Sequence, residues 1–192
     1  MARLSKRADI LQAGVRQLHK RGYAVSSVDS IVEAAGVPKG SFFNHFRSKE
    51  EFAGEALSAY FHQWIVECEA VINRTDTTGK EKLIALLAIA TSKAAGNYEG
   101  CFVGNMALEL AHQSEALRLQ LVKIFDVWSD SFERAIVEGQ QDGTLDTSLS
   151  PGTMARFIVN LFQGSALRAK VERSTRAAEE FELMVLSAIN PN

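Results

Sequence analysis

The sequence predicts an all-α protein, and three observations carry that expectation. Apolar residues recur at three- and four-residue spacing through most of the 192-residue chain, the period of a helix with one buried face. No stretch alternates apolar and polar residues as a half-buried strand does. Glycine, proline and serine punctuate the chain so as to divide it into about nine helical segments.

The first helix is expected from about Ser5 to Lys20. Leu11, Gly14, Val15 and Leu18 share one face, with Ala8 a turn earlier. Gly22 can take the left-handed conformation that stops a helix. Ser26 or Ser27 caps the next helix, and Asp29 in its first turn favours the helix dipole. Its inner face is Val28, Ile31, Val32 and Ala35, and Gly36 ends it. Val37-Pro38 then breaks the chain, because proline disfavours helix in the residue before it. A short third helix follows, from about Lys39 to Phe46. Ser48 and Glu51 have the spacing of a capping box. They open a long helix to about Asn73, with Phe52, Ala56, Ala59/Tyr60, Phe61, Trp64, Ile65, Cys68, Val71 and Ile72 inward. Further helices are expected at about Gly79–Ala95, Cys101–Ala111, Ser114–Gln141, Pro151–Val171 and Thr175–Ala188. Gly96-Asn97, His112-Gln-Ser, Gln141-Asp-Gly and Ser150-Pro-Gly separate them, and Pro151 suits a first helical position.

The composition, 46% hydrophobic and 23% charged, is that of a globular chain able to bury a core without disulfides. No run approaches the roughly 18 apolar residues of a membrane span. The basic start has no apolar signal core behind it, so the cytoplasm is expected. Cys68 and Cys101 have neither framework nor metal-ligand spacing and are expected as reduced thiols. His62 and His112 stand alone, and neither a metal nor a cofactor is expected.

Net charge is −2, but it is unevenly spread. Residues 1–50 hold nine Lys/Arg against four acids, and the remainder twelve against nineteen. A basic head on an acidic body sets up a local field that attracts phosphate. The segment from Ser26 to Glu50 gives that field a use. Two short helices flank Gly36-Val37-Pro38, and the second starts small and polar with Lys39-Gly40-Ser41. A helix-turn-helix needs this arrangement, because its second helix enters the major groove N-terminus first. Gly40 lets the backbone approach DNA closely. Lys39 and Ser41 can reach phosphate or base edges, and Asn44 can pair with adenine. Phe42 and Phe46 are expected to lock this helix onto the first two.

The run Ile31-Val-Glu-Ala-Ala-Gly-Val-Pro-Lys-Gly-Ser-Phe-Phe-Asn-His-Phe-Arg-Ser-Lys-Glu50 resembles the signature of the TetR family of transcriptional regulators. The resemblance implies a helix-turn-helix DNA-binding domain over 1–47 and a helical effector-binding and dimerisation domain over 48–192. It also implies a homodimer on a palindromic operator in double-stranded DNA, with repression relieved by a small-molecule effector. By position, Ser27 resembles the cap that touches the DNA backbone, and Lys39, Gly40, Ser41 and Asn44 resemble recognition-helix residues. Phe43 and His45 stand where the family places phosphate contacts, and Lys49 resembles the phosphate contact opening the fourth helix. Position 43 is often Tyr in the family, and Phe43 has no hydroxyl to donate. The alternatives are a His45 packed beneath the recognition helix and a solvated Lys49.

In the body, Met154, Phe157, Ile158, Leu161 and Phe162 form one apolar stripe, and Phe181, Met184, Val185 and Ile189 another. They serve either a four-helix dimer interface, as the resemblance implies, or the monomer core. Two recognition helices must reach groove faces about 34–36 Å apart, so a ligand that alters their spacing weakens binding. Phe61, Trp64, Met106, Phe125, Trp128 and Phe162 are candidate pocket lining, with core packing as the alternative. Cys101 follows Gly100 at a helix start, where unpaired N–H groups favour a thiolate. With Lys170 as charge partner, it resembles the branch of the family that senses electrophiles or oxidants and includes the repressor of N-ethylmaleimide reductase. The other reading is a small buried cysteine and a surface lysine.

Gly-x-Ser-x-Gly, phosphate-loop and His-Glu-x-x-His patterns are absent, which weighs against an enzyme. Glu109 and His112, three apart, are too common a pair to carry catalysis. A helical interaction module with no DNA role is the other competing class; it would show no salt-sensitive duplex binding.

Overall fold

A computed structural model describes residues 6–95 and 98–189, except the side chains of 93–95. The expected helix start at Ser5 and the Gly96-Asn97 break lie outside the described residues. Among those residues the chain is all-helical: α1 Lys6–Arg21, α2 Val28–Ala34, α3 Lys39–Phe43, α4 Lys49–Ile72, α5 Gly79–Ala95, α6 Phe102–Leu110, α7 Glu115–Gln141, α8 Pro151–Glu172 and α9 Arg176–Ala188. No helix among them is long and apolar enough to cross a membrane. They form two compact units, Met1–Gln63 with Phe102–Leu121, and Trp64–Cys101 with Val122–Asn192.

In the first unit α1 packs on α2 and α3. The core is a knot of phenylalanines: Phe42 lies 5.2 Å from Phe46 and 5.3 Å from Phe52, and Phe46 lies 5.0 Å from Phe52. All three are buried, and each contributes about 1.5–3 kcal/mol of apolar burial. Gly14 belongs to this packing, because a Cβ there would come within 2.1 Å of the Phe52 ring.

The helix ends follow local cap chemistry. Gly22 stops α1 at φ +86, and Gly36 follows α2 at φ +65. Ser27 caps α2, its hydroxyl oxygen accepting from Ser30 N–H at 3.1 Å. Ser48 accepts from Glu51 N–H at 3.0 Å, while the Glu51 carboxylate takes Arg47 N–H at 2.6 Å. This is the expected box with its return bond displaced by one residue. Helix α3 closes sooner than Phe46: Asn44 caps it, and a turn carries Phe46 N–H back to Phe42 C=O at 2.9 Å.

In the second unit α8 packs on α9 and α5. Trp64 meets Trp128 at 5.1 Å, Trp128 meets Phe162 at 5.5 Å, and Phe162 meets Phe181 at 5.9 Å. The start of α5 crosses α7 backbone to backbone, for a Cβ on Gly79 would lie 2.0 Å from Gly139 N. Buried Lys82 pairs with Glu138 beside this crossing. Ser150 caps α8 and Pro151 opens it.

The two apolar stripes divide between core and surface. Met154, Ile158, Phe162, Phe181, Val185 and Ile189 are buried, whereas Phe157 and Met184 are exposed. Adjacent helical residues point about 100° apart, and the core side of α8 takes Met154, Ala155, Ile158 and Val159, which leaves Phe157 outside it. In α4, Ala59 is exposed and Ile65 half-buried, rather than fully inward.

Candidate nucleic-acid interface

The turn after α2 presents α3 with its start exposed. Lys39, Gly40, Phe43, Asn44 and His45 all lie at the surface. Lys39 Nζ sits 2.9 Å from Asp29, a pair exposed on both sides, so solvent screens it and an incoming phosphate can replace it. A Cβ built on Gly40 meets nothing within 4 Å. Phe43 is 54% exposed, although its ring rests edge-on against Phe42 at 5.3 Å. His45 is exposed rather than packed beneath the helix, its ring 6.3 Å from Phe46. Ser27 spends its hydroxyl oxygen on the α2 cap and keeps its proton to donate outward.

Ser41 departs from expectation. It is buried, turned inward beside Phe42, so its side chain does not share the exposed face. The rotation that seats Phe42 on the phenylalanine core carries its neighbour inward as well.

Lys49 opens α4 half-buried, with its ammonium 4.0 Å from the centre of the Tyr23 ring. That is a cation–π contact. Burial pushes the Lys49 ammonium below its ordinary pKa, and the charge of Glu109 opposes the shift. Burial, then Glu50, pushes the Tyr23 phenol up. Arg7 lies over the Phe46 ring at 5.3 Å and pairs with Glu55.

The sensor residues divide between the units. Trp64, Trp128 and Phe162 are buried in the aromatic run of the second unit, and half-buried Phe125 stacks on Trp128 at 6.3 Å. Phe61 and Met106 are buried too, but belong to the first unit. Cys101 is buried immediately before α6, and its sulfur accepts from Gln163 Nε2 at 3.4 Å. Lys170 is exposed in the last turn of α8. Cys68 is fully buried.

The family model for bacterial regulatory proteins of the tetR family matches residues 10–56, and that for the tetracyclin repressor-like C-terminal domain matches residues 79–185. The chain belongs to the TetR family. Among similar proteins is the HTH-type transcriptional repressor DhaR of Mycobacterium sp. strain GP1, 34% identical over all of this chain and 96% of that protein. The crystal structure of a regulatory protein TetR from Rhodobacter sphaeroides matches with TM-score 0.87 and 25% identity, over 95% of this chain and 97% of that one. The reduced form of NemR from E. coli matches with TM-score 0.86 and 23% identity, over 96% and 97%. This TetR-family chain is a DNA-binding transcriptional regulator, and the enzyme and interaction-module readings give way to that.

Gln163 and Tyr23 were not among the residues the sequence singled out, and Glu109 was weighed only as a neighbour of His112, not as a partner of the turn after α1. Gln163 stands 62 residues from Cys101, and Glu109 stands 86 from Tyr23. No periodicity or motif reports a contact at such separations.

Proposed function

We propose that the chain is a cytoplasmic homodimeric repressor, released from a palindromic operator when a small molecule binds or Cys101 is modified. Residues 1–47 bind DNA, and residues 48–192 dimerise and take the effector. The observation that carries this reading is the exposure of Lys39, Gly40, Phe43, Asn44 and His45, with Ser27 exposed at the α2 cap and Lys49 half-buried at the start of α4. It joins small residues, cations and hydrogen-bonding groups on a short helix, the chemistry that reads base edges and phosphate. The dimer is supported by Phe157, Leu167 and Val171 on α8 and by Leu183 and Met184 on α9, all large, apolar and exposed. An apolar patch of this kind marks a protein interface.

Cys101 supports the thiol branch through two features, its place before α6 and its Gln163 donor. Addition to a maleimide forms an S–C bond, and the adjacent ring carbon takes up the proton. The aromatic run from Trp64 to Phe162 is the candidate lining for a non-covalent effector.

The test is fluorescence anisotropy on the protein's own upstream intergenic duplex, with and without N-ethylmaleimide, for the unaltered chain and Cys101→Ala. Tight, salt-sensitive binding abolished by maleimide only when Cys101 is present supports thiol release. Binding indifferent to maleimide leaves the reversible effector, and equal release of both proteins removes Cys101 from the mechanism.

A further inference from the structure

Helix α6 holds the turn between α1 and α2. Gly22 ends α1 at φ +86, and the next two backbone N–H groups leave the helix without an intrahelical acceptor. The Glu109 carboxylate takes both, Tyr23 N–H at 3.0 Å and Ala24 N–H at 2.7 Å. Its Oε1 occupies the space a side chain at position 22 would need, only 2.5 Å from a built Cβ. From within the turn, Ser26 Oγ donates to Gly22 C=O at 2.7 Å. The start of α6 is anchored as well: Phe102 packs 5.5 Å from His19 and 4.8 Å from Tyr60.

The clamped residue leads to the DNA face. Tyr23 offers its ring to the Lys49 ammonium at 4.0 Å, and Lys49 is the first residue of α4. An ammonium on a flexible four-carbon stem is a poorly placed charge unless something fixes it. The ring fixes Lys49, and Glu109 fixes the backbone that carries the ring.

We propose that Glu109 is a positioning residue for DNA binding: its carboxylate holds the Tyr23–Ala24 turn, and the Tyr23 ring so held presents the Lys49 ammonium to a phosphate. This rests on Lys49 being a phosphate contact. It makes a prediction that simple electrostatics contradicts. Removing an acid from a DNA-binding unit raises its positive charge and should tighten binding. Here removal weakens it.

The experiment measures affinity against salt, using a duplex selected from a randomised library by the unaltered protein. Glu109→Gln keeps the side chain's size but turns an amide N–H₂ toward one of two backbone donors. It is expected to bind about tenfold more weakly at fixed salt. Its slope of log K against log salt falls by the same increment as that of Lys49→Met, about 0.9 per phosphate lost. The double variant binds no more weakly than Lys49→Met alone, because both changes remove one contact. Tyr23→Leu keeps the backbone clamp and deletes the ring; it loses the same increment and serves as the test if Glu109→Gln melts below the assay temperature. Binding by Glu109→Gln as tight as that of the parent, or a double variant whose loss is the sum of the two, overturns the proposal. An unchanged slope in Lys49→Met refutes the Lys49 contact, and the proposal with it. A slope lost in Lys49→Met but kept in both Glu109→Gln and Tyr23→Leu refutes the positioning role alone.

Discussion

Gly40 separates what folding requires from what DNA requires. It is the second residue of the five-residue α3, it is exposed, and a Cβ on it meets nothing within 4 Å. Its φ is not among the positive values along the chain. Nothing in the free protein therefore needs glycine there. Alanine restricts the unfolded chain more than glycine and suits a helix better, by about 0.5–1 kcal/mol. Gly40→Ala should thus raise the melting temperature by about 1–4 °C for a chain of this size. The opposite sign is expected on DNA. If α3 lies in the groove with its backbone close to the duplex, an added methyl is an overpacked contact costing about 1–3 kcal/mol, or about five- to a hundredfold in affinity. Gly40→Leu should lose more. Circular-dichroism melts of the free protein and anisotropy titrations on the selected duplex measure the two effects separately. Variants that melt higher and bind as the parent does would show that α3 does not approach DNA through Gly40. A lower melt would refute the open space itself.

Other perturbations follow from particular contacts. Gly79→Ala drives a Cβ to 2.0 Å from Gly139 N and 2.7 Å from Ala135 C=O; because backbone cannot swing aside, a loss of about 1–3 kcal/mol and a melt lower by about 2–12 °C are expected. Phe43→Tyr puts a hydroxyl on a half-exposed ring, and a new phosphate donor there should tighten duplex binding about two- to tenfold with no change in melt. The Asp142 carboxylate accepts from Thr144 Oγ1, Gly79 N–H and Thr144 N–H, and these bonds lower its pKa from the ordinary 3.8, the Thr144 hydroxyl most of all. A depressed folded pKa contributes stability above the unfolded value and loses it as pH falls. Asp142→Asn should therefore melt lower at pH 7 and converge on the parent as the medium is acidified below 3.8. Leu183→Glu places a charge on an exposed apolar position of α9; on the proposed homodimer, sedimentation velocity should find dimer for the parent and monomer for the variant, with the helical spectrum unchanged.

Helix ends were legible because cap chemistry is local. Gly22, Gly36, Ser48 with Glu51, and Ser150 before Pro151 each announce a boundary within four residues, and the structure uses each one. Rotation about a helix axis was less legible. Phe157 and Ile158 are both apolar, and only packing against α5 and α9 decides that Ile158 is buried and Phe157 exposed. Ser41 shows the same limit in reverse: a polar residue beside Phe42 goes inward because the phenylalanine core fixes the helix phase. The contacts of Glu109 and Gln163 left no trace: Glu109 was visible only beside His112 three residues on, and a carboxylate meeting backbone N–H groups 86 and 85 residues away has no repeat to betray it.

The residues that folding does not account for are those proposed above to face partners. Phe43 sits half in water beside an otherwise closed aromatic cluster, and Gly40 weakens a helix only five residues long without relieving any clash. Leu183 and Met184 place two adjacent large apolar side chains in solvent. Exposed apolar residues occur elsewhere on the chain too, Leu108 and Val25 among them, but local conflicts of this kind concentrate at functional sites. Their chemistry divides by task. A subunit face gains by being apolar, because it is covered throughout the life of the protein. A DNA face must stand in water whenever the operator is released, and its grip must respond to ions and to displacement of a few groups. Lysines, a histidine, an asparagine and a helix-cap hydroxyl meet that requirement: their contacts exchange with counterions and water at little net cost. A regulator that must let go of its operator therefore keeps large apolar residues off the exposed side of α3, whose Phe42 is turned into the core, and the single exception there, Phe43, is the position where a hydroxyl is expected to strengthen binding.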